Sequence, residues 1–232
     1  EYSLDISERK DLERDLRQAA AVFHHASEGI MITDTAGRIE RVNDAFTRIT
    51  GYTQQEAIGR KPGEILGSGW QGPEFYRSMW HTLNQTGEWQ GEIWNRRRDG
   101  GIYPEWLTIS RVYDDQGEPT HHIGIFSDIT EQKKAESHLR HLAYFDPLTD
   151  LPNRATLEDR LDQALARKAR GQSETAVLYL DLDGFKPIND RWGHQAGDAV
   201  LREVAERLQG SVRQTDTVAR VGGDEFVVLL EG

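Results

Sequence analysis

Asp224 and Glu225, directly behind the glycine pair Gly222-Gly223, are the residues of this sequence best equipped for chemistry. Glycine tolerates positive φ and lets a bulky ligand approach the main chain, while adjacent Asp and Glu present hard oxygen ligands suited to Mg²⁺. Together they outline a site for a phosphate and a divalent metal ion. An exposed hairpin end with acidic residues near its turn has the same sequence, so these residues alone leave both readings open. A second polar group lies upstream, where Asp181 and Asp183 close the apolar run Ala176 to Leu182 and are followed by Asn189 and by Gly197-Asp198.

The elements that must position these groups follow from pattern. Thr217 to Val221 and Phe226 to Leu230 are β-rich runs on either side of the glycines and predict a hairpin. Ala176 to Leu182 predicts a buried strand. Before it, Leu157, Leu161, Ala164 and Leu165 share one face of a helix that starts after the turn-rich stretch Phe145 to Arg154. Strand, helix, helix and hairpin make an α/β pattern, in which ligands gather at strand ends.

The preceding half is patterned differently. Gly29 to Thr33 and Arg38 to Asn43 predict strands joined at Asp34-Thr35-Ala36-Gly37. Asn43 caps a helix that ends at Gly51, and Thr53 with Glu56 makes a capping box for another that stops at Gly59. Lys61 to Gly72 is expected to be loop, Pro73 opens a longer helix closed by Gly87, and strands follow from Trp89, Ile102 and Thr120. This order predicts an antiparallel five-stranded sheet with helices on one face, a half-covered cup of the kind that holds a ligand. Alternation puts Trp89, Gly91, Ile93 and Asn95 on the inner face of one strand. Asp5-Ile6-Ser7-Glu8-Arg9-Lys10 returns in altered form as Asp128-Ile129-Thr130-Glu131-Gln132-Lys133, each predicting a passage from strand to capped helix. Leu12, Leu16, Ala19 and Phe23 after the first, and Ala135, Leu139 and Leu142 after the second, form short heptad seams. A helix packed on its own domain explains them as well as a coiled coil does.

Composition excludes several classes. The chain has no cysteine, which removes disulfides, thiolate catalysis and flavin–cysteine photochemistry. A net charge of −11 argues against a general nucleic-acid surface. The basic run Arg96-Arg97-Arg98, before Asp99-Gly100-Gly101, is expected to be a solvated hairpin end. No apolar run approaches the roughly 18 residues of a membrane span, and the polar start is not a signal peptide, so a soluble, cytoplasmic protein without a membrane segment is the expectation.

From about Ala20 to Thr130 the sequence resembles the PAS sensor domain, through its element order, Asn43-Asp44-Ala45-Phe46 with Gly51-Tyr52, and the closing Asp128-Ile129-Thr130-Glu131. The family implies signal sensing passed on through the terminal helix. Met79-Trp80, Gly87-Glu88-Trp89-Gln90-Gly91, Asn95-Arg96-Arg97 and Tyr103-Pro104-Glu105 are similar to a subgroup that includes flavin-binding redox sensors, which implies FAD in a pocket lined by Trp80 and Asn95. Asn95 facing inward must find a hydrogen-bond partner, which a flavin edge or neighbouring protein groups can both supply. His81 is expected to be a helical surface histidine and not a haem ligand.

The remainder resembles the GGDEF domain of diguanylate cyclases, in Asp146-x-Leu148-Thr149-x-Leu151-Pro152-Asn153-Arg154, Asp181-x-Asp183-x-Phe185-Lys186-x-Ile188-Asn189-Asp190, Gly193-His194, Gly197-Asp198 and Gly222-Gly223-Asp224-Glu225-Phe226. That family condenses two GTP into cyclic di-GMP across an antiparallel dimer. The resemblance implies Mg²⁺ (or Mn²⁺) on Asp181, Asp224 and the Leu182 carbonyl, with Glu225 as a further metal-site carboxylate or a base for the attacking hydroxyl. It implies guanine recognition by Asn189 and Asp198, terminal phosphates on the amides of Gly184 and Phe185 beside Gly222 and Gly223, and an inhibitory product site at Arg213 and Asp216.

The resulting expectation is the end of an upstream module and a signalling helix over 1–19, a PAS domain over 20–130, a helical linker over 131–145 that serves a homodimer, and the N-terminal part of a GGDEF domain over 146–232. The family's domain continues beyond the length present, so the catalytic unit is expected to be incomplete here. The leading functional expectation is a signal-regulated diguanylate cyclase. Its alternatives are a GTP-binding GGDEF domain that controls a downstream cyclic di-GMP phosphodiesterase domain, and a non-enzymatic ligand or redox sensor that dimerises.

Overall fold

Apolar alternation over the first half of the chain produces five antiparallel strands: β1 (Gly29–Asp34), β2 (Ile39–Val42), β3 (Glu88–Arg96), β4 (Ile102–Tyr113) and β5 (Pro119–Asp128), in the order β2-β1-β5-β4-β3. The computed structural model describes residues 2–169 and 174–232 and divides into two units, Glu1–Lys133 and Lys134–Gly232. The first unit opens with helix α1 (Tyr2–His25) and places α2 (Asp44–Thr50), α3 (Gln54–Ala57), α4 (Pro62–Leu66) and α5 (Pro73–Thr86) between β2 and β3. Met31, Ile39, Phe46, Leu66, Ile93 and Phe126 form its core, with the rings of Phe46 and Phe126 edge to face at 5.9 Å. Gly29 is required there, because a Cβ would stand 2.3 Å from the Phe126 ring.

Local signals account for the helix boundaries. Asn43 accepts from the Phe46 amide at 2.9 Å, Gly51 closes α2 at φ +78°, and the Thr53–Glu56 capping box is formed. The stretch Lys61 to Gly72, expected to be loop, contains α4. Pro62 at the first turn and the Glu64 carboxylate, which accepts from the Lys61 amide at 3.3 Å, outweigh its glycines. The passage from strand to helix expected at Ser7 is absent, since Asp5 to Lys10 lie within α1. The second copy follows a strand, β5, and there Asp128, not Thr130, accepts from the first amide of α6 (Thr130–Tyr144), at 2.9 Å. The arginine run is the hairpin end expected between β3 and β4, with Arg96 and Arg98 exposed and Arg97 half-buried, but all three also hold partners. Arg96 donates to the Ser68 carbonyl at 2.8 Å, Arg97 binds the Ile49 carbonyl and Asp128, and Arg98 pairs with Glu56 at 2.7 Å.

The second unit continues with α7 (Arg154–Ala169), β6 (Thr175–Asp181), α8 (Phe185–Trp192), α9 (His194–Ser211), β7 (Thr217–Gly222) and β8 (Glu225–Glu231). Its three strands run β6-β8-β7, both pairs antiparallel. Val218, Phe226 and Val228 pack on Leu201 and Ala205 of α9, while Ala219, Val227 and Leu229 pack on Leu157 and Ala164 of α7. A sheet covered on both faces explains the unbroken apolar run of β8. β6 corrects the expectation of a buried strand. It pairs only with β8 among the described residues, and Val177, Leu178 and Tyr179 are 52%, 44% and 60% exposed.

Candidate functional site

Strand register builds the acidic site. β6 and β8 pair so that Asp181 stands directly opposite Glu225. Gly222 pairs with Glu225 across the hairpin, so the turn residues are Gly223 and Asp224, one position later than a Gly-Gly turn. Gly222 at φ +152° and Gly223 at φ +51° occupy conformations that L side chains rarely adopt, which is why both positions are glycine. The turn is held by Arg220 of β7, which is itself tied to Asp146 outside the hairpin. Arg220 donates through Nε and Nη2 to the Gly223 carbonyl at 3.0 and 2.6 Å, and through Nη1 to Asp146 Oδ1 at 2.9 Å. Asp146 also accepts from the amide and hydroxyl of Thr149 at 2.9 and 2.7 Å. Burial pushes its carboxyl up, but the bonds from Thr149 and Arg220 outweigh that and hold it below the usual carboxylate range.

Asp181, Asp224 and Glu225 are thus brought to one end of the sheet. They offer only hard carboxylate oxygens, which suits Mg²⁺ or Mn²⁺. Among the described residues no three His, Asp or Glu side chains converge to hold a metal ion by themselves, so an ion here needs further oxygens from a backbone carbonyl and from its ligand. The Leu182 carbonyl is close by in sequence, and it also accepts from the Phe185 amide at 3.2 Å. The Phe185 amide, expected to meet a terminal phosphate, closes a turn in this structure, with Gly184 at φ +78°. Tyr179, which sequence reasoning missed, bonds Glu225 from two residues before Asp181, and that bond holds its phenol above the ordinary range. Strand alternation was the available signal, since positions 179 and 181 share a face.

A second feature lies between α8 and α9. Gly197 packs against Asn189 so closely that a Cβ would sit 2.0 Å from Asn189 Oδ1 and 3.1 Å from the Phe185 ring. Asn189 Oδ1 is buried and has no hydrogen-bond partner. Asp198, half-buried, follows Gly197 on the same helix. Asp183 is exposed. Asp216 accepts from the amides of Arg213 and Glu231 at 2.9 and 3.1 Å, bonds that hold its carboxyl below the usual range. The exposed Arg213 and the half-buried Asp216 line a shallow groove of about 310 Å³ with Arg160 and Gln209.

In the first unit Trp80 and Asn95 line one cavity of about 490 Å³, together with Met31, Leu66, Tyr76 and His122. Asn95 is buried, as alternation required, and its Nδ2 donates to Glu105 Oε1 at 2.8 Å. Its partner is therefore a protein group. Trp80 is 41% exposed at the rim, edge-on to His122 at 5.7 Å, and His122 Nε2 is buried without a partner. His81 is exposed. Among the described residues no helix is long and apolar enough to cross a membrane.

Comparison with known proteins places these features. Residues 27–131 match the family model described as PAS domain, and residues 143–232 match the one described as diguanylate cyclase, GGDEF domain. The Pseudomonas aeruginosa protein named bifunctional diguanylate cyclase/cyclic di-GMP phosphodiesterase MucR is 53% identical over 102 residues, which is 44% of this chain and 15% of that protein. The Escherichia coli protein named probable diguanylate cyclase DgcE is 31% identical over 234 residues, 98% of this chain and 21% of that protein. Among solved structures, an RNA-binding light-oxygen-voltage receptor matches at a TM-score of 0.50 and 28% identity, over 58% of this chain and 37% of that one. The chain thus spans about a fifth or less of the length of these two curated relatives.

Proposed function

We propose that this chain, a PAS domain followed by a GGDEF domain, supplies the sensor and part of the catalytic site of a diguanylate cyclase that joins two GTP into cyclic di-GMP. The observation that carries the proposal is the register of Asp181 against Glu225 beside Asp224, in a turn that Arg220 clamps. Asp181 and Asp224, with the Leu182 carbonyl, would hold Mg²⁺ or Mn²⁺, which when bound neutralises triphosphate charge and makes a 3′-hydroxyl a better nucleophile. Glu225 completes that set or accepts the hydroxyl proton, with Tyr179 orienting it. Asn189 brings an unpartnered acceptor to the guanine edge, and Asp198 accepts from guanine N1–H and N2–H. The amide of Gly184, with the open backbone of Gly222 and Gly223, is left for the phosphates.

Each subunit holds one GTP, so synthesis requires a homodimer. Exposed Leu12 and Leu16 on α1 and Leu139 and Leu142 on α6 supply apolar seams for it. Arg213 and Asp216 bind the product and limit synthesis, and the protein works in the cytoplasm, where GTP is available. FAD is the ligand we assign to the cavity of Trp80 and Asn95. Its support is that a single cavity gathers both residues, with the orphaned His122 Nε2 as a further polar group. The similarity to a bifunctional relative favours a second reading, in which the GGDEF domain binds GTP and controls a phosphodiesterase domain of the same parent protein.

Incubation of the full-length parent with GTP and Mg²⁺, followed by chromatography for cyclic di-GMP, tests the cyclase. Product is expected from the wild type and none from D224A; no product from the wild type, or undiminished product from D224A, overturns it. A flavin absorption band in freshly purified protein tests the FAD assignment, and a colourless preparation that also fails reconstitution refutes it.

A further inference from the structure

Glu105 on β4 is fully buried, at 0% exposure, yet it is an acid. Its Oε1 accepts from Asn95 Nδ2 at 2.8 Å and its Oε2 from the Tyr103 hydroxyl at 2.7 Å. In the β4–β5 ladder it stands opposite Asp128. The Arg97 guanidinium lies 3.9 Å over the Tyr103 ring and bonds Asp128, whose other carboxylate oxygen accepts from the Thr130 amide at 2.9 Å. One end of this chain of contacts is in the cavity wall, where Asn95 stands; the other is the first residue of α6.

We propose that Glu105 is a proton-dependent switch in a relay of hydrogen bonds and one cation–π contact that runs from the cavity wall at Asn95 to the start of α6 at Thr130. The charged and titratable groups that face it are Arg97 just after β3, Tyr103 on β4, Asp128 on β5 and Tyr76 on α5. Arg97 alone among them is positive, and it is shared with Asp128. Burial is the largest influence and pushes the Glu105 carboxyl up to about 7, against the bonds from Tyr103 and Asn95. The switch therefore works near neutral pH.

The two states differ in what they present at each end. Ionised Glu105 only accepts, so Asn95 gives it an N–H and keeps its carbonyl oxygen for the cavity. When one proton is taken from solvent onto Oε1, the acid donates to the Asn95 carbonyl, the amide turns, and its N–H groups face the cavity instead. Tyr103 continues to donate to Oε2. At the far end, loss of the Glu105 charge leaves Arg97 to Asp128 alone and changes the carboxylate that holds Thr130. By linkage, a cavity ligand that needs a donor favours the neutral acid and one that needs an acceptor favours the carboxylate. The relay depends neither on which ligand fills the cavity nor on chemistry in the second unit, so its failure leaves the cyclase proposal standing, and the reverse.

A ¹⁵N–¹H NMR titration of the full chain between pH 5 and 9 tests it. The Asn95 side-chain amide and the Thr130 backbone amide are expected to shift together with one midpoint near 7. Both inflections vanish in E105Q, whereas D128N removes the inflection at Thr130 and keeps that at Asn95. No common inflection in the wild type, or its persistence in E105Q, overturns the proposal. Should E105Q fail to fold, Asn95→Ala removes a bond that favours the carboxylate, so the Thr130 midpoint must rise; an unmoved midpoint overturns it as well.

Discussion

Arg220 Nη1 lies 2.9 Å from Asp146 Oδ1, a contact that joins the Gly-Gly hairpin to a turn 74 residues earlier. Both side chains are largely enclosed, at 12% and 18% exposure, so this is no solvated surface pair. R220A removes bonds to Asp146 and to the Gly223 carbonyl and is expected to cost about 2 kcal/mol of second-unit stability, as hydrogen bonds to charged groups do. Urea unfolding measures it. The Asp146 carboxyl is depressed by its partners, so its contribution is present above the unfolded-state value and disappears as pH falls through the folded one. R220A is expected to weaken that acid dependence.

Gly197→Ala separates helix stability from ligand geometry. In a helix Ala is better than Gly by about 1 kcal/mol, so α9 gains locally. The new methyl would lie 2.0 Å from Asn189 Oδ1 and must displace the amide. GTP affinity, measured by fluorescence titration with Mg²⁺ present, is expected to fall at least about tenfold while circular dichroism is unchanged. Unchanged affinity would remove Asn189 from the proposed guanine site.

Asn43 does more than cap a helix. Its Oδ1 accepts from both Ile30 and Phe46 amides at 2.9 Å, and its Nδ2 donates to the Glu28 carbonyl at 2.9 Å, all at 1% exposure. N43A strands these buried groups and is expected to destabilise the first unit by about 3 kcal/mol. N43D keeps the acceptor and loses the donor, so its cost is smaller. Thermal unfolding of the two variants orders them.

Glu105 sets a pH dependence opposite in sign to that of Asp146. Its folded-state carboxyl is raised from 4.5 to about 7, so the folded chain holds a proton that the unfolded chain has lost between those values. Stability from this group is full below the lower value and declines as pH rises through the higher one, by about 3 kcal/mol at most. Urea midpoints of the first unit are expected to fall over that interval, and E105Q to flatten the slope.

Much of both folds was legible because the relevant signals are local. Asn43, Gly51, Thr53 with Glu56, Pro73 and Gly87 each act within one turn of chain, and the helices start and stop where these residues stand. α4 escaped because glycine content is a weaker guide than a proline at the first turn, and β6 was taken for buried because its apolar residues do not reveal which sheet edge they occupy. The arginine run shows the same limit. Charge predicts solvation, but Arg97 found its partners 48 and 31 residues away.

What the sequence by itself determined were groups whose meaning lies in type and short spacing: the glycines that permit the turn at 222 and 223, the carboxylates beside them, and the inward face that carries Asn95. What only the tertiary structure decided were partners. Register, a property of two strands and not of one, set Asp181 against Glu225 and moved the turn onto Asp224. Packing closed Gly197 on Asn189, and burial made Glu105 an acid poised near neutrality, because desolvation depends on everything that surrounds a group and not on its neighbours in the chain.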